Sequence, residues 1–426
     1  MPQKVIGANE KVNLACIGVG AQGGGIAEWH HSTGLANVVA LCDVNMGSDH
    51  TSKLETMFPD APKFKDFRKM FDKMAGQIDA VTIGVPDHSH FPIAMLAMSL
   101  GKHVYVEKPL AHTFEEVELM MAAEKKYKIT GQMGNQGHSS NNYHQFKAWV
   151  EAGVIKNVRH VDACMNKPRR WHKWDFDSYQ TGEKVPATMD WDTWIGTAPY
   201  HDFSSKLAPG NWRSWYDYGN GAFGDWGPHI LDTIHRFLKL GLPEEIEAVK
   251  LEGAKKFIYP MASTIKFNFP ARGENMPAMD ITWYDGVENL PPRPKQLNEK
   301  RKIPKCGKVI YSDDLAFMGG SHSSTLRIIP ETKMREMAAG LPKITGTHSD
   351  HATNFLLACK GQEKTRSSFN ISGPLTQVFL LGVIAQRLGG KLIFDRKTKQ
   401  ITNNKLANQL LIGPPPRKGW EEFYKL

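Results

Sequence analysis

Through the first third of the chain, hydrophobic positions alternate between two kinds of segment. Short apolar runs at residues 14–19, 38–43, 78–85 and 103–109 read as strands, and a further strand follows the turn KITGQMG. Between them, apolar residues recur at helical spacing. Ile26, Ala27 and Trp29 mark one helix. Residues 64–75 mark the next, with apolar positions 64, 67, 70, 71 and 74. Helices follow at 91–100 and at 113–127, the latter capped by Thr113. Strand–helix alternation predicts a parallel, doubly wound sheet whose ligands bind beyond the carboxyl ends of its strands.

After about residue 136 the alternation loosens. A helix is expected at 141–153 and a strand at 158–166, followed by a long irregular stretch rich in tryptophan. A helix from about residue 228 to 240, stopped by Gly241, comes next. Alternating runs at 246–253, 260–270 and 279–286 predict antiparallel strands. Residues 289–312 read as a basic surface loop, 307–314 and 325–330 as edge strands, and 331–339 and 351–361 as helices. The apolar helix at 371–390 should be buried, against the first domain. The tail after Pro414-Pro415-Pro416 should dock on a neighbour. The expected division is a dinucleotide-binding domain at 1–136 and a substrate-binding and oligomerisation domain at 137–426.

Composition narrows the class. A net charge of +9 raises the possibility of a nucleic-acid partner, but the basic runs at 255–260, 298–305 and 395–400 are scattered, mixed with acids and accompanied by no recognition motif. They read as solvated surface, and no nucleic-acid partner is expected. Cys16, Cys42, Cys164, Cys306 and Cys359 form no CxxC and read as small buried hydrophobes. No run of eighteen apolar residues is present, so no membrane span is expected. Residues 1–13 do not read as a signal peptide. The chain reads as soluble and cytoplasmic as it stands, or periplasmic if a leader has been trimmed.

The chemistry gathers at the predicted strand ends. GVGAQG follows the first strand, and Gly18, Gly20 and Gly23 fit the GxGxxG spacing. The first glycine makes the turn, the second lets a pyrophosphate approach the backbone, and the third lets helix and strand pack closely. Asp43, twenty residues after Gly23, stands where an acid meets a ribose hydroxyl and repels a 2′-phosphate. This predicts NAD rather than NADP. Gln22, Pro86, His88, Glu107, Lys108 and Asn135 complete the expected cofactor contacts. His88 and His90 nominate no further metal ligands, so they are expected to cap the helix starting near Phe91 or to line the nicotinamide site, and no metal is expected.

GDWGPHILD, at 224–232, holds Asp225, His229 and Asp232. With the helix beginning near Pro228, His229 would lie in its first turn, where the dipole lowers and nearby carboxylates raise its pKa. Such a group suits a general base for an alcohol. Lys108, at a strand's carboxyl edge, can polarise an oxygen. Seven of the eleven tryptophans lie between 171 and 226, among Arg169, Arg170, Arg213 and Asp217. Flat apolar faces beside charged edges suit a sugar. The expected substrate contacts are His138, Arg169, Trp171, Arg213 and Trp226, with Asp225 and His229.

Taken in order, GVGAQG, ALCDV, VTIGVPDHSH, GKHVYVEKP and GDWGPHILD resemble the Gfo/Idh/MocA oxidoreductase family, which contains glucose-fructose oxidoreductase and inositol dehydrogenase. The resemblance implies a Rossmann domain followed by an α/β domain with an open, mostly antiparallel sheet. It implies that Lys108, Asp225 and His229 form the reaction centre. GNQGHS at 134–139 and WDTWIG at 191–196 resemble a branch containing NAD-dependent α-N-acetylgalactosaminidases, although GDWGPH departs from the methionine- and cysteine-containing form common there. The implied activity is NAD-dependent oxidation of a secondary hydroxyl of a sugar, glycoside or cyclitol. The alternatives are glycoside hydrolysis through transient oxidation, elimination and re-reduction, and a non-catalytic dinucleotide or sugar sensor. A homo-oligomer is expected.

Overall fold

The computed structural model describes residues 7, 10–169, 171 and 173–426. Arg170, noted above, lies outside them. Six strands, β1 (Val12–Ile17), β2 (Ala36–Cys42), β3 (Lys63–Phe64), β4 (Ala80–Ile83), β5 (His103–Val106) and β6 (Gly131–Met133), form a parallel sheet in the order β3-β2-β1-β4-β5-β6. Helices α1 (Ala21–Ser32), α2 (Ser52–Met57), α3 (Phe67–Met74), α4 (Asp87–Ser99) and α5 (Phe114–Tyr127) connect them. Local chemistry sets several starts. Asp66 caps α3 through the Arg68 N–H at 2.9 Å. Thr113 and Glu116 cap α5 reciprocally.

The second unit opens with α6 (Asn141–Glu151), β7 (Val158–Met165), α7 (Trp191–Ile195) and α8 (Gly221–Phe237). Then come β8 (Glu245–Glu252), β9 (Ala262–Phe269), β10 (Met279–Asp285), β11 (Cys306–Ser312), β12 (Ala316–Gly320) and β13 (Arg327–Ile329). The chain closes with α9 (Glu331–Met337), α10 (His351–Cys359), α11 (Phe369–Leu388), β14 (Gly390–Asp395), β15 (Gln400–Ile401) and α12 (Lys405–Ile412). Nine strands make one sheet, β13-β12-β11-β7-β10-β9-β8-β14-β15. It is antiparallel except where β7 runs parallel to β10.

Three expectations need correction. Helix α4 begins at Asp87, not near Phe91, because its polar DHSH start is buried and its histidine rings meet backbone carbonyls from elsewhere. Helix α8 begins at Gly221, not Pro228. Its glycines are packing positions. A Cβ at Gly221 would lie 2.6 Å from the Tyr259 ring, one at Gly224 2.4 Å from Asn220, and one at Gly227 2.7 Å from Phe379. Strand β11 is not an edge, since it pairs with both β7 and β12.

Helix α11 is long and apolar enough, by length and composition, to cross a bilayer, but most of it is buried within the fold. It packs on α8 and α5. Its Gln377 amide donates to Glu118, and the Phe369 N–H donates to Glu124 at 3.2 Å. All five cysteines are free and buried.

Candidate active site

A cavity of about 420 Å³ runs from the glycine turn after β1 to helix α8. Gly18, Gly20, Gln22 and Asp43 line one end, Pro86, Glu107 and Lys108 the middle, and Arg213, Asp225, Trp226 and His229 the other. Gly18 takes φ +75°, a left-handed turn that glycine adopts without a side-chain clash. A Cβ at Gly23 would lie 2.0 Å from the Gly18 carbonyl oxygen. Gly84, which the sequence did not single out, seals the same contact, since a Cβ there would lie 2.5 Å from the Gly23 Cα.

This cradle fits a dinucleotide. Helix α1 starts at Ala21 with no side-chain cap, so the amide hydrogens of its first turn face the cavity end as donors for an anion. The Asp43 carboxylate is fixed by the N–H groups of Val19 and Asn45, both at 2.9 Å. That places a negative charge beside the turn. The His50 ring lies directly over Gly20, where any Cβ would strike it.

At the opposite end, the Lys108 ammonium donates to Asp225 Oδ1 at 2.7 Å. Arg213 Nε lies 3.6 Å from the same oxygen, and Arg213 Nη1 donates to the buried Asp87 carboxylate at 3.0 Å. The Arg213 guanidinium also lies 4.2 Å above the Trp212 ring. Asp87 accepts the Asn220 N–H at 2.9 Å, which ties the start of α8 to the start of α4. Burial alone would push the Asp225 carboxyl up, but Arg213 and then Lys108 overcome it and hold the group well below the usual carboxylate range. His229 sits four residues along α8, one turn from Asp225. Burial, reinforced by the Lys108 charge, holds its imidazole well below the ordinary value. It lies in the helix interior rather than the first turn, so burial replaces the dipole as the cause.

Five other expected contacts lie off this cavity. His88 is buried with Nε2 2.8 Å from the Trp194 carbonyl and Nδ1 3.2 Å from that of Tyr218. A neutral imidazole donates from one nitrogen only, and burial holds this ring neutral by lowering its pKa to about 4. Asn135 accepts from the Ser367 hydroxyl at 2.6 Å, while its neighbour Gln136 lines the cavity and donates to Glu107 at 2.8 Å. His138 is buried with Nδ1 3.4 Å from Asp232. Trp171 is core, its indole N–H bonded to the Pro260 carbonyl at 3.1 Å. Arg169 stands beside the cavity, 5.8 Å from the Trp226 ring. Of the seven clustered tryptophans, Trp194, Trp212 and Trp226 line the cavity. So does His322, from the loop after β12, and Trp420, from the tail. Neither had a sequence signal, because both lie in segments without periodicity.

Two family models match this chain. An oxidoreductase-family NAD-binding Rossmann fold covers residues 12–135, and an oxidoreductase-family C-terminal alpha/beta domain covers 140–254. The chain belongs to the Gfo/Idh/MocA oxidoreductase family. The Rossmann model of this family spans the cavity-lining strand ends of the first sheet, and the C-terminal model includes α8. An uncharacterized oxidoreductase YfiI from Bacillus subtilis is 33% identical over 153 residues, 35% of this chain and 34% of that protein. Glycosyl hydrolase family 109 protein 1 from Shewanella is 29% identical over 182 residues, 41% of this chain and 39% of that protein. The chain thus spans well under half the length of these curated relatives. The solved WlbA dehydrogenase from Chromobacterium violaceum, in complex with NADH and UDP-GlcNAcA, superposes with a TM-score of 0.60 at 13% identity. That superposition covers 93% of this chain and 99% of the other, and it supports the family fold.

Proposed function

We propose that the protein is an NAD-dependent oxidoreductase acting on a secondary hydroxyl of a sugar, glycoside or cyclitol. In this reading, residues 1–136 hold the cofactor and residues 137–426 supply most of the substrate end. One observation carries it. A lysine–aspartate pair at 2.7 Å and a buried histidine line the same cavity as the dinucleotide cradle.

Gly18, Gly20 and Gln22 would hold the pyrophosphate and Asp43 the ribose, with Gly23 letting α1 pack closely enough to build the cradle. Bound there, NAD supplies a hydride acceptor. His229, neutral at pH 7, accepts the hydroxyl proton of the substrate. Lys108 keeps donors free beyond the one given to Asp225 and turns them on the oxygen as negative charge develops. Asp225 aims the ammonium, and Arg213 keeps Asp225 ionised. Trp212 and Trp226 offer flat faces to a sugar ring.

The family 109 relatives favour a second reading on the same residues, cleavage of a glycoside without net oxidation. Incubation with NAD and a panel of sugars and aryl glycosides separates the readings. Accumulating NADH supports the dehydrogenase, and aglycone release without NADH supports the hydrolase. Binding with neither reaction leaves a sensor and defeats both. The proposal includes a homo-oligomer. Light scattering of a purely monomeric chain would refute that part.

A further inference from the structure

His322 stacks on His229, with ring centroids 3.9 Å apart and planes 15° from parallel. Its backbone N–H donates to the carbonyl of His229 at 2.8 Å, so ring and main chain both meet the same residue. The His322 backbone is left-handed at φ +54°, a conformation that strains a non-glycine residue. Gly137 makes room for it. A Cβ at Gly137 would lie 2.9 Å from both the carbon and the oxygen of the His322 carbonyl. The Trp226 ring meets His322 edge-on at 5.5 Å and closes the other side. A side chain placed by this many separate contacts is over-determined.

We propose that His322 is a positioning residue, which fixes the plane of the His229 imidazole and forms with it a stacked pair that admits only one positive charge. This rests on His229 being the base. Around the pair stand Lys108 from the turn after β5, Arg213 from the segment before α8, Asp225 and Asp232 from α8 itself, and Lys167 from the segment after β7. Burial and Lys108 oppose a proton on either ring, while Asp225 favours one on both and Asp232 one on His322. His322 is the more open ring and takes the first proton. Both rings are therefore neutral near pH 7, which leaves the single charge of the pair for the proton that His229 accepts from substrate.

Ring-selective NMR titration of the histidines in the full chain, saturated with NAD, tests this. In His322→Phe the His229 signals should keep their aromatic shielding while the titration midpoint moves to higher pH. In His322→Ala the shielding should vanish, and any sugar-dependent rate should fall roughly 10²-fold as the base loses its orientation. If the alanine variant does not fold, the phenylalanine variant decides alone. Unchanged His229 shielding and midpoint in the folded variants would overturn the pairing. A wild-type chain with no turnover on any sugar would overturn the catalytic reading and leave the ring pair measurable on its own.

Discussion

Glu107 and Lys108 are chain neighbours with different surroundings. Lys108 meets Asp225 across the cavity, whereas Glu107 is buried beneath Gly134 and accepts the Gln136 side-chain amide. Burial raises the Glu107 carboxyl from 4.5 to about 7, against the opposing pull of Lys108. A raised folded-state pKa gives stability that is complete below the unfolded value and disappears as pH climbs through the folded one. Relative to Glu107→Gln, the wild type should therefore lose up to about 3 kcal/mol between pH 4.5 and pH 8. Denaturant melts of both proteins across that range measure it, and parallel curves would contradict it. His229→Ala should lower turnover by about 10²–10⁴-fold while leaving NAD affinity unchanged, as read by kinetics and calorimetry. Asp43→Ala should weaken NAD binding and relax discrimination against NADP. The place of Lys108 on the cavity was legible because a strand's carboxyl end fixes where it lies, whereas Asp225 and His229 were joined to it by the family resemblance and not by helical spacing, since the helix was expected to begin only at Pro228. His88, Asn135 and His138 were misplaced because nearness to a motif does not say which way a side chain turns. Each of the three turns away from the cavity to buried partners.

Glycines control how closely the elements approach. Gly84 ends β4 against Gly23, and Gly25 sits two residues further along α1 with open space around its α-carbon. Gly84→Ala should cost about 1–3 kcal/mol by overpacking and weaken NAD binding, because the cradle must shift. Gly25→Ala should instead stabilise α1 by about 0.5–1 kcal/mol. Melting curves with and without NAD separate the two, and equal effects would refute the packing argument. The parallel sheet was readable since buried strands and amphipathic helices have different periods. The true start of α8 was not, because glycine in a sequence signals looseness as readily as tight packing. Only Tyr259, Asn220 and Phe379, distant or unremarkable in the sequence, decide between them. Strand β11, read as an edge, lies inside the sheet and carries a buried lysine, Lys308.

Across the whole molecule, the aromatic segment before α8 and the tail clasp the first sheet's ligand end. Thr188 donates to the Asn45 side chain at 2.7 Å, and the Asp190 N–H donates to the Val44 carbonyl at 2.8 Å. Trp420 lies under the Arg68 guanidinium at 4.3 Å, and Tyr424 donates to Glu116 at 2.7 Å. The tail expected on a neighbour thus docks on its own chain, since the first unit supplies the cation, the carboxylate and the aromatic faces it needs. Trp420→Ala should cost about 3–5 kcal/mol and speed NAD release, which denaturant melts and stopped-flow displacement measure. Unchanged release would show that the tail does not enclose the cofactor. In the proposed function one cavity brings the dinucleotide and the Lys108–Asp225–His229 group to the same carbon. Rapid mixing of the NAD-loaded chain with a panel of sugars and glycosides, watching for reduced nicotinamide within a single turnover, tests it most directly. A signal in the wild type that is lost in His229→Ala with NAD still bound is the predicted result. No signal from the wild type with any of them, or an equal signal without His229, would contradict it.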